Sequence, residues 1–149
     1  MVKRESREVK LNLPSRLSAI GLTGIAALSA THWLRDNLDA RGPFQSFALG
    51  VMPNMAAAFA MPLILASFTT HTSSTQTATS SRLRFLGILM FTTLGLCGWE
   101  FVQTRSNRFV CDVYDLLATV LGSALAYLAF SWNARRFDAL ENESNPDEA

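Results

Sequence analysis

The sequence has little charge and few of the side chains on which metalloproteins and disulfide-rich domains depend. Only 17% of its 149 residues are charged, and a formal net charge of +1 gives no basis for nucleic-acid binding. Two cysteines, Cys97 and Cys111, are too few for a disulfide framework and lack metal-site spacing. Two histidines, His32 and His71, lie in no ligand motif. The sequence therefore predicts no metal, no cofactor and no nucleic-acid partner.

Hydrophobic residues make up 49% of the chain and gather in four segments with very few charges. These segments run over about 17–34, 44–68, 85–102 and 113–132. As a helix rising 1.5 Å per residue, each is long enough to cross a hydrocarbon core of about 30 Å. Because lipid offers the backbone no hydrogen-bond partners, each segment is expected to be a helix. The predicted fold class is an all-α membrane protein with four transmembrane helices.

The four predicted helices form two hairpins, and the stretches around them are polar. Residues 1–16 are an N-terminal segment, residues 17–132 the transmembrane domain, and residues 133–149 an acidic tail expected to be disordered. The stretch 69–81 is almost entirely Thr, Ser, Gln and Ala, which predicts a flexible linker between the hairpins. The apolar part of the first segment, 19–30, also has the length found in signal peptides, so cleavage and retention both stay open.

The positive charges indicate how the helices are oriented, because Lys and Arg are enriched on cytoplasmic flanks. Nine lie on the side that carries both ends of the chain, and four lie on the other side. The nine are Lys3, Arg4, Arg7, Lys10, Arg16, Arg82, Arg84, Arg135 and Arg136, and the four are Arg35, Arg41, Arg105 and Arg108. The sequence predicts a multi-pass protein with both termini and the Ser/Thr-rich linker in the cytoplasm, and with membrane lipids as its surroundings.

Most of the polar residues that suggest chemistry lie where the third and fourth segments meet. The third segment ends with two polar residues three apart, and two acidic residues three apart begin the fourth, so each pair shares a helix face. A short loop with two arginines joins the pairs. The candidate ligand-binding residues are Glu100, Gln103, Arg105, Arg108, Asp112 and Asp115. This polar hairpin is expected at the non-cytoplasmic rim of the bundle.

Two interpretations of the polar hairpin stay open. In the first it is a structural clamp, with Asp112 as a helix N-cap, Asp115 as its capping partner, and Arg105 and Arg108 in exposed ion pairs worth about 0–1 kcal/mol each. In the second it is a functional site, because carboxylates such as Glu100 inside an apolar span are costly unless paired and are often functional. Three carboxylates suit Mg²⁺ or Ca²⁺, but the neighbouring arginines would compete for them, which disfavours a metal. The arginines also suit a lipid phosphate.

Small residues recur every four positions in the fourth segment, and this spacing lets another helix approach closely. They are Ala118, Gly122 and Ala126, and the third segment offers Gly87, Gly95 and Gly98 as candidate partners. In the second segment Pro53 removes a backbone hydrogen bond and is expected to kink the helix. The amide of Asn54 beside it has two interpretations: local bonding to freed carbonyls, or bonding to a group on a neighbouring helix or a ligand.

The spacing of the polar hairpin also matches a family pattern. Gln103 follows Glu100 by three residues, Asp115 follows Glu100 by fifteen, and Gly122 follows Asp115 by seven. In these positions the chain resembles the signature portion of the VanZ-like family of bacterial membrane proteins. Residues commonly Asn and Gly in that family are Thr119 and Ala126 here. The resemblance covers residues 99–128 and implies a compact four-helix domain of the bacterial inner membrane with a role at the cell envelope, without an assigned reaction.

The leading hypothesis is a non-enzymatic VanZ-like membrane protein whose polar site binds an envelope lipid or another polar ligand. The alternative is a small accessory or assembly subunit of a larger membrane complex, suggested by the small size and the stripe on the fourth segment. An intramembrane enzyme or transporter is disfavoured, because the chain has no Ser-His-Asp arrangement, no His-x-x-x-His and no phosphate loop. Proton and ion routes also usually need several ionisable residues at mid-membrane, which the first two segments lack.

Overall fold

The computed structural model of the chain describes residues 13–38, 42–71, 78–103 and 113–144. These residues form four α-helices, and all four are long and apolar enough to cross a membrane, as predicted. The helices are α1 (Leu13–Asn37), α2 (Pro43–His71), α3 (Ala78–Gln103) and α4 (Val113–Ser144). The end of the bundle that carries Leu13 and Ser144 is called the terminal end here, and the opposite end is called the distal end.

The helices extend beyond the apolar segments that predicted them. The fourth continues from Trp132, its predicted end, to Ser144, so much of the acidic tail that was expected to be disordered is helical. Helix α2 continues to His71 and α3 begins at Ala78 rather than near Phe85, so both ends of the predicted linker, 69–81, are helical, and its residues 72–77 lie outside the described ones. A helix satisfies its own backbone hydrogen bonds, so it can continue into polar surroundings without apolar side chains. Hydropathy therefore indicates the membrane-spanning part of a helix and not the residue at which the helix ends.

Helix α2 lies at the centre of the bundle and packs most extensively against α1 and α4. Small residues allow this close packing. A Cβ atom added to Gly24 of α1 would lie 2.8 Å from the Cβ of Ala60, too close for a real contact. A Cβ atom added to Gly122 of α4 would overlap the carbonyl oxygen of Met55 and lie 3.0 Å from the Cβ of Ala58. Because helices gain little from hydrophobic burial when lipid is the alternative, close contact between small residues is the usual basis of their association.

The small residues of α4 therefore have a different partner from the one expected. Gly122 packs against α2, and the candidate partners on α3, Gly87, Gly95 and Gly98, have no atoms of the described residues within 4 Å of the position a Cβ would take. Ala126 of the same stripe is fully buried. The expectation that α3 supplies the packing partner of Gly122 is wrong, because spacing identifies a face suited to close approach but not the helix that approaches it.

The terminal half of the bundle is closed by an apolar core. The rings of Phe85 on α3 and Phe130 on α4 stack with their centroids 4.0 Å apart and their planes within 2° of parallel. Leu17 of α1, Leu63 of α2 and Ala126 of α4 complete the cluster, and all are fully buried. Most of the other large apolar side chains face outwards, as expected of helices that have lipid around them. The buried Asn54–Glu100 hydrogen bond and the buried hydroxyl of Thr119 lie in the distal half, whereas the buried hydroxyl of Ser67 in the terminal half donates to the carbonyl of Ile64 in its own helix.

Candidate functional site

The carboxylate of Glu100 lies inside the bundle and is bonded to an amide on another helix. Glu100 is only 8% exposed, although it belongs to the last turn of α3. The Nδ2 of Asn54 donates a hydrogen bond of 3.0 Å to its Oε1. Asn54 lies about three turns after the start of α2, so the carboxylate is below the distal end of that helix. Of the two interpretations of Asn54, the structure supports the bond to a neighbouring helix.

Side-chain direction explains how two residues at different heights meet. In an α-helix the Cα–Cβ bond tilts towards the helix N-terminus. The N-terminus of α3 is at the terminal end, so the Glu100 side chain points into the bundle. The N-terminus of α2 is at the distal end, so Asn54 points up towards it. Pro53 precedes Asn54 within an α2 helix that continues to His71.

A buried hydroxyl on α4 faces the same place. Thr119 is fully buried, and its Oγ1 is a buried polar atom without a hydrogen-bond partner among the described residues. It lies one turn before Gly122, which packs on α2, and one turn before Ser123, whose hydroxyl lies 2.7 Å from that of Thr93 on α3. Residues three and four apart share a helix face. Thr119 therefore faces the junction of α2 and α3, where Asn54 and Glu100 meet.

The contacts along α4 set the height of Thr119 relative to Glu100. Thr93 is level with Ser123, and Glu100 lies two turns further towards the distal end on the same face of α3. Glu100 is therefore level with the residues just before Thr119 on α4, and its side chain points down towards that hydroxyl. The hydroxyl and the carboxylate thus lie on adjoining faces at neighbouring heights. Together we call Asn54, Glu100 and Thr119 the polar inlet.

The polar inlet ends within the bundle. Below Thr119 the hydroxyls of Ser123 and Thr93 are bonded to each other across α3 and α4. Further towards the terminal end follow Ala126 and the stacked rings of Phe85 and Phe130. Within the described part of the chain, an apolar cluster thus lies between the polar inlet and the terminal end, and the buried Ser67 hydroxyl beyond it is bonded to a carbonyl of its own helix. This arrangement suits a binding site entered from the distal end and does not suit a conduit across the membrane.

The structure describes only some of the six site residues predicted from the sequence. Glu100 is buried and bonded, whereas Asp115 is half-buried in the first turn of α4 and has an interaction partner. Asp115 precedes Thr119 by one turn on the same face. Gln103 ends α3, and its side chain lies outside the described ones. Arg105, Arg108 and Asp112 also lie outside the described residues.

Thr119 is the functional candidate that sequence reasoning missed. In the sequence it counted only as a departure from a family pattern. The available signal was the spacing of Asp115, Thr119 and Ser123, which places three polar side chains at intervals of four on one face of an apolar helix. Because polar side chains in lipid seek partners, such a face points into the bundle.

The described residues hold neither a cluster of metal ligands nor, in an apolar groove beside α1, polar groups suited to binding. They contain no group of three or more His, Cys, Asp or Glu side chains that could hold a metal ion. A groove of about 220 Å³ between α1, α2 and α4 is lined almost entirely by apolar groups, including Met52, Phe59 and Leu125. The one hydroxyl in its lining, that of Thr23, donates to the carbonyl of Ile20 in its own helix. The polar inlet is therefore the candidate site.

No protein-family model, no curated protein and no solved structure matches this chain. The likeness to the VanZ-like family thus depends on four residues, Glu100, Gln103, Asp115 and Gly122. The structure places Glu100 within the polar inlet, Asp115 in the first turn of α4 and Gly122 at the contact between α2 and α4.

Proposed function

We propose that this chain is a VanZ-like integral membrane protein of the bacterial cytoplasmic membrane that binds a polar ligand or an envelope lipid headgroup at Glu100. It is non-enzymatic, and both of its termini are cytoplasmic. The polar inlet then opens towards the outer face of the membrane, where lipid-linked envelope components are found. Of the six residues of the polar hairpin, Glu100 is the one that the structure places inside the bundle.

The burial of Glu100 carries this proposal. A carboxylate at 8% exposure in a bundle of apolar helices costs free energy unless it is paired, and ionisable groups at such positions are usually functional. Asn54 supplies one neutral hydrogen bond, whereas a carboxylate has about four acceptor positions. Thr119 adds a hydroxyl with unused capacity at the same junction. If packing were their only role, apolar residues could replace these polar groups. A ligand that bonds to them would explain why they are polar.

Orientation is proposed from charge. Five of the six described arginines lie at the terminal end of the bundle, where the positive-inside rule places the cytoplasm. They are Arg16, Arg82, Arg84, Arg135 and Arg136, and Arg35 is at the distal end. A cysteine-accessibility assay in intact cells, with single cysteines placed at exposed Phe44 and exposed Arg135, tests this directly. Labelling of the first position alone by an impermeant reagent is expected.

The function is tested by what the protein retains on gentle extraction. Wild-type protein is expected to carry a stoichiometric polar lipid or lipid-linked sugar, identified by mass spectrometry, and Glu100→Gln is expected to lose it. Thr92→Val is the matched control, because Thr92 is equally buried but bonds the carbonyls of Ile88 and Leu89 in its own helix. If Glu100→Gln retains the same molecules as wild type and fully complements a deletion strain, Glu100 is part of a structural clamp and the proposed site is wrong.

The second candidate function is a small accessory subunit of a larger membrane complex, and one observation favours it. Among the described residues, no atom lies within 4 Å of a Cβ at Gly87, Gly95 or Gly98 of α3, although glycine in a transmembrane helix typically lies at a close contact. Gly122 is used for internal packing, so a partner helix would have to use a surface such as this one. Gly95→Leu is then expected to release the protein from its complex without unfolding it, and co-purification with unchanged partners would exclude this surface.

A further inference from the structure

We propose that the group bound in the polar inlet is a primary ammonium, carried by an aminophospholipid headgroup or by a free amine of the same chemistry. This inference rests on the proposed function, because it names the ligand class of the same site. It follows from a count of donors and acceptors at Asn54, Glu100 and Thr119, and from the charge that Glu100 brings into the bundle.

The inlet is rich in acceptors and poor in donors. One N–H of the Asn54 amide is used on Glu100, which leaves its second N–H and the two lone pairs of its oxygen. Glu100 accepts this one hydrogen bond from the described residues and has further lone pairs. The Thr119 hydroxyl adds another oxygen without a partner among the described residues. Three oxygen-bearing groups on three helices therefore face one junction.

An ammonium complements this set in charge and in geometry. It carries three N–H donors and no acceptor, so it can bond the carboxylate, the hydroxyl and the amide oxygen at once. Its charge offsets that of Glu100, and a charge-assisted hydrogen bond is about twice as strong as a neutral one. A phosphate has the opposite needs, because it requires donors and would bring a second negative charge beside Glu100. Anionic groups are therefore expected at the entrance and not within the inlet.

The depth of Glu100 and the closed lower end of the polar inlet both suit a headgroup that enters from the distal end. Glu100 is in the last turn of α3, which is close enough to the membrane surface for a headgroup to reach. The inlet ends at the bonded pair Ser123 and Thr93, so the ammonium binds and leaves by the same opening. A quaternary ammonium such as choline has the charge but no N–H donor, and its methyl groups would leave the Thr119 hydroxyl unpaired. The site should therefore distinguish amines by their number of N–H groups.

The test uses wild-type protein first, so that folding of a variant is not in question. Purified full-length protein is mixed with equal amounts of phosphatidylethanolamine, its N-methyl, N,N-dimethyl and choline forms, and phosphatidylglycerol, and retained lipids are counted by native mass spectrometry. Retention is expected to fall with each added methyl group, by about tenfold from ethanolamine to choline, equivalent to about 1.4 kcal/mol. Equal retention across the methylation series would overturn the proposal.

Variants then tie the preference to the inlet. Glu100→Gln is expected to abolish the ethanolamine preference, and Thr119→Val to reduce it severalfold, whereas Thr92→Val leaves it unchanged. Selective displacement of the bound lipid by millimolar ethanolamine identifies the ammonium as the recognised group. If wild type binds free ethanolamine in a Glu100-dependent way but has no lipid preference, a free amine is the ligand and the ammonium class still stands.

Other outcomes separate this inference from the function on which it rests. If phosphatidylglycerol or a lipid-linked sugar is selected in a Glu100-dependent way, the ammonium proposal is wrong and the binding function stands. If no retained molecule depends on Glu100, both fail. Thermal unfolding of each variant is recorded alongside, and where a variant has lost its folding transition the methylation series on wild-type protein decides.

Discussion

The two halves of this bundle hold their helices together in different ways. In the terminal half, Leu17, Leu63 and the stacked rings of Phe85 and Phe130 are packed with almost no exposure. In the distal half, interior groups include the Asn54–Glu100 hydrogen bond and the buried hydroxyl of Thr119. Both halves are built from the same four helices, so the difference lies in side-chain chemistry and not in architecture.

The difference indicates a division of roles. Close packing of apolar groups gives rigidity without leaving polar groups unpaired. A polar cluster whose hydrogen bonds are only partly satisfied is less favourable than an apolar core of the same shape. The hydroxyl of Thr119 could be replaced by a methyl group without loss of volume, so its presence in the distal half suggests a use beyond packing. We therefore expect changes to packing residues to alter stability most, and changes to the polar inlet to alter ligand retention more than stability.

The largest effect on stability is expected from Gly122→Leu. A Cβ atom at this position overlaps the backbone carbonyl of Met55, which cannot move away as a flexible side chain would. The expected loss is about 3 kcal/mol or more, at the upper end for overpacking in a core. Reversible unfolding in mixed micelles, titrated with a denaturing detergent, measures it.

Gly95→Leu is the matched control for this change, because no atom of the described residues lies within 4 Å of a Cβ at that position. It should leave the unfolding free energy unchanged within about 0.5 kcal/mol, as substitutions away from packed sites usually do. Equal destabilisation by the two variants would show that Gly122 has no special role in the contact between α2 and α4.

A smaller effect is expected from Phe130→Ala in the terminal half. The substitution removes a fully buried ring that stacks on Phe85 and leaves a cavity. We expect a loss of about 2 kcal/mol, below the 3–5 kcal/mol typical in water, because lipid and not water surrounds the ring once the helices separate. Phe91→Ala, at a site 76% exposed, is the control and should change the same unfolding curve little. If Phe91→Ala costs as much, the outward-facing surface is itself packed against a partner.

The Asn54–Glu100 pair is expected to contribute less, and a double-mutant cycle measures its coupling. Asn54→Leu leaves Glu100 without its donor, and Glu100→Leu leaves the amide unpaired, so each single change is expected to cost about 1 kcal/mol. The coupling energy should be near 0.6 kcal/mol and not above about 1.7 kcal/mol, the range for interhelical hydrogen bonds in membranes. A larger coupling would make the pair a structural clamp that stabilises the contact of α2 and α3.

Features that depend on neighbouring residues in the sequence could be predicted, whereas features that depend on contacts between distant residues could not. Four apolar runs were enough to predict four helices, because helix formation in lipid follows from local hydropathy. The helix ends and the partner of Gly122 could not be obtained in this way, since Met55 is distant in sequence and nothing local specifies which helix packs on which. Hydropathy likewise placed Glu100 near a helix end but did not indicate that it bonds α2.

Only those features of the candidate site that depend on a single helix could be predicted from the sequence. Glu100 was singled out because a carboxylate in an apolar span is unusual, and this prediction coincides with a buried residue in the fold. Asn54 was recognised as polar beside Pro53, but its two interpretations differ only in the position of another helix. Thr119 has a side chain too common in membrane helices to attract notice, and its burial depends on α2 and α3 together.

A coupling of the same size is expected for the hydroxyl pair at the boundary between the two halves. Thr93 and Ser123 lie 2.7 Å apart and connect α3 with α4 below the polar inlet. In a double-mutant cycle with Thr93→Val and Ser123→Ala, we expect a coupling energy of about 0.6 kcal/mol by detergent-induced unfolding. Thr31→Val is the control, because the Thr31 hydroxyl bonds the carbonyl of Ala27 in its own helix and should not couple to Ser123.

The double mutant should retain the same bound molecules as wild type, since the pair closes the inlet from below without facing the ligand. Loss of those molecules with an unchanged unfolding curve would instead extend the binding site down to Ser123 and remove the boundary drawn between the two halves.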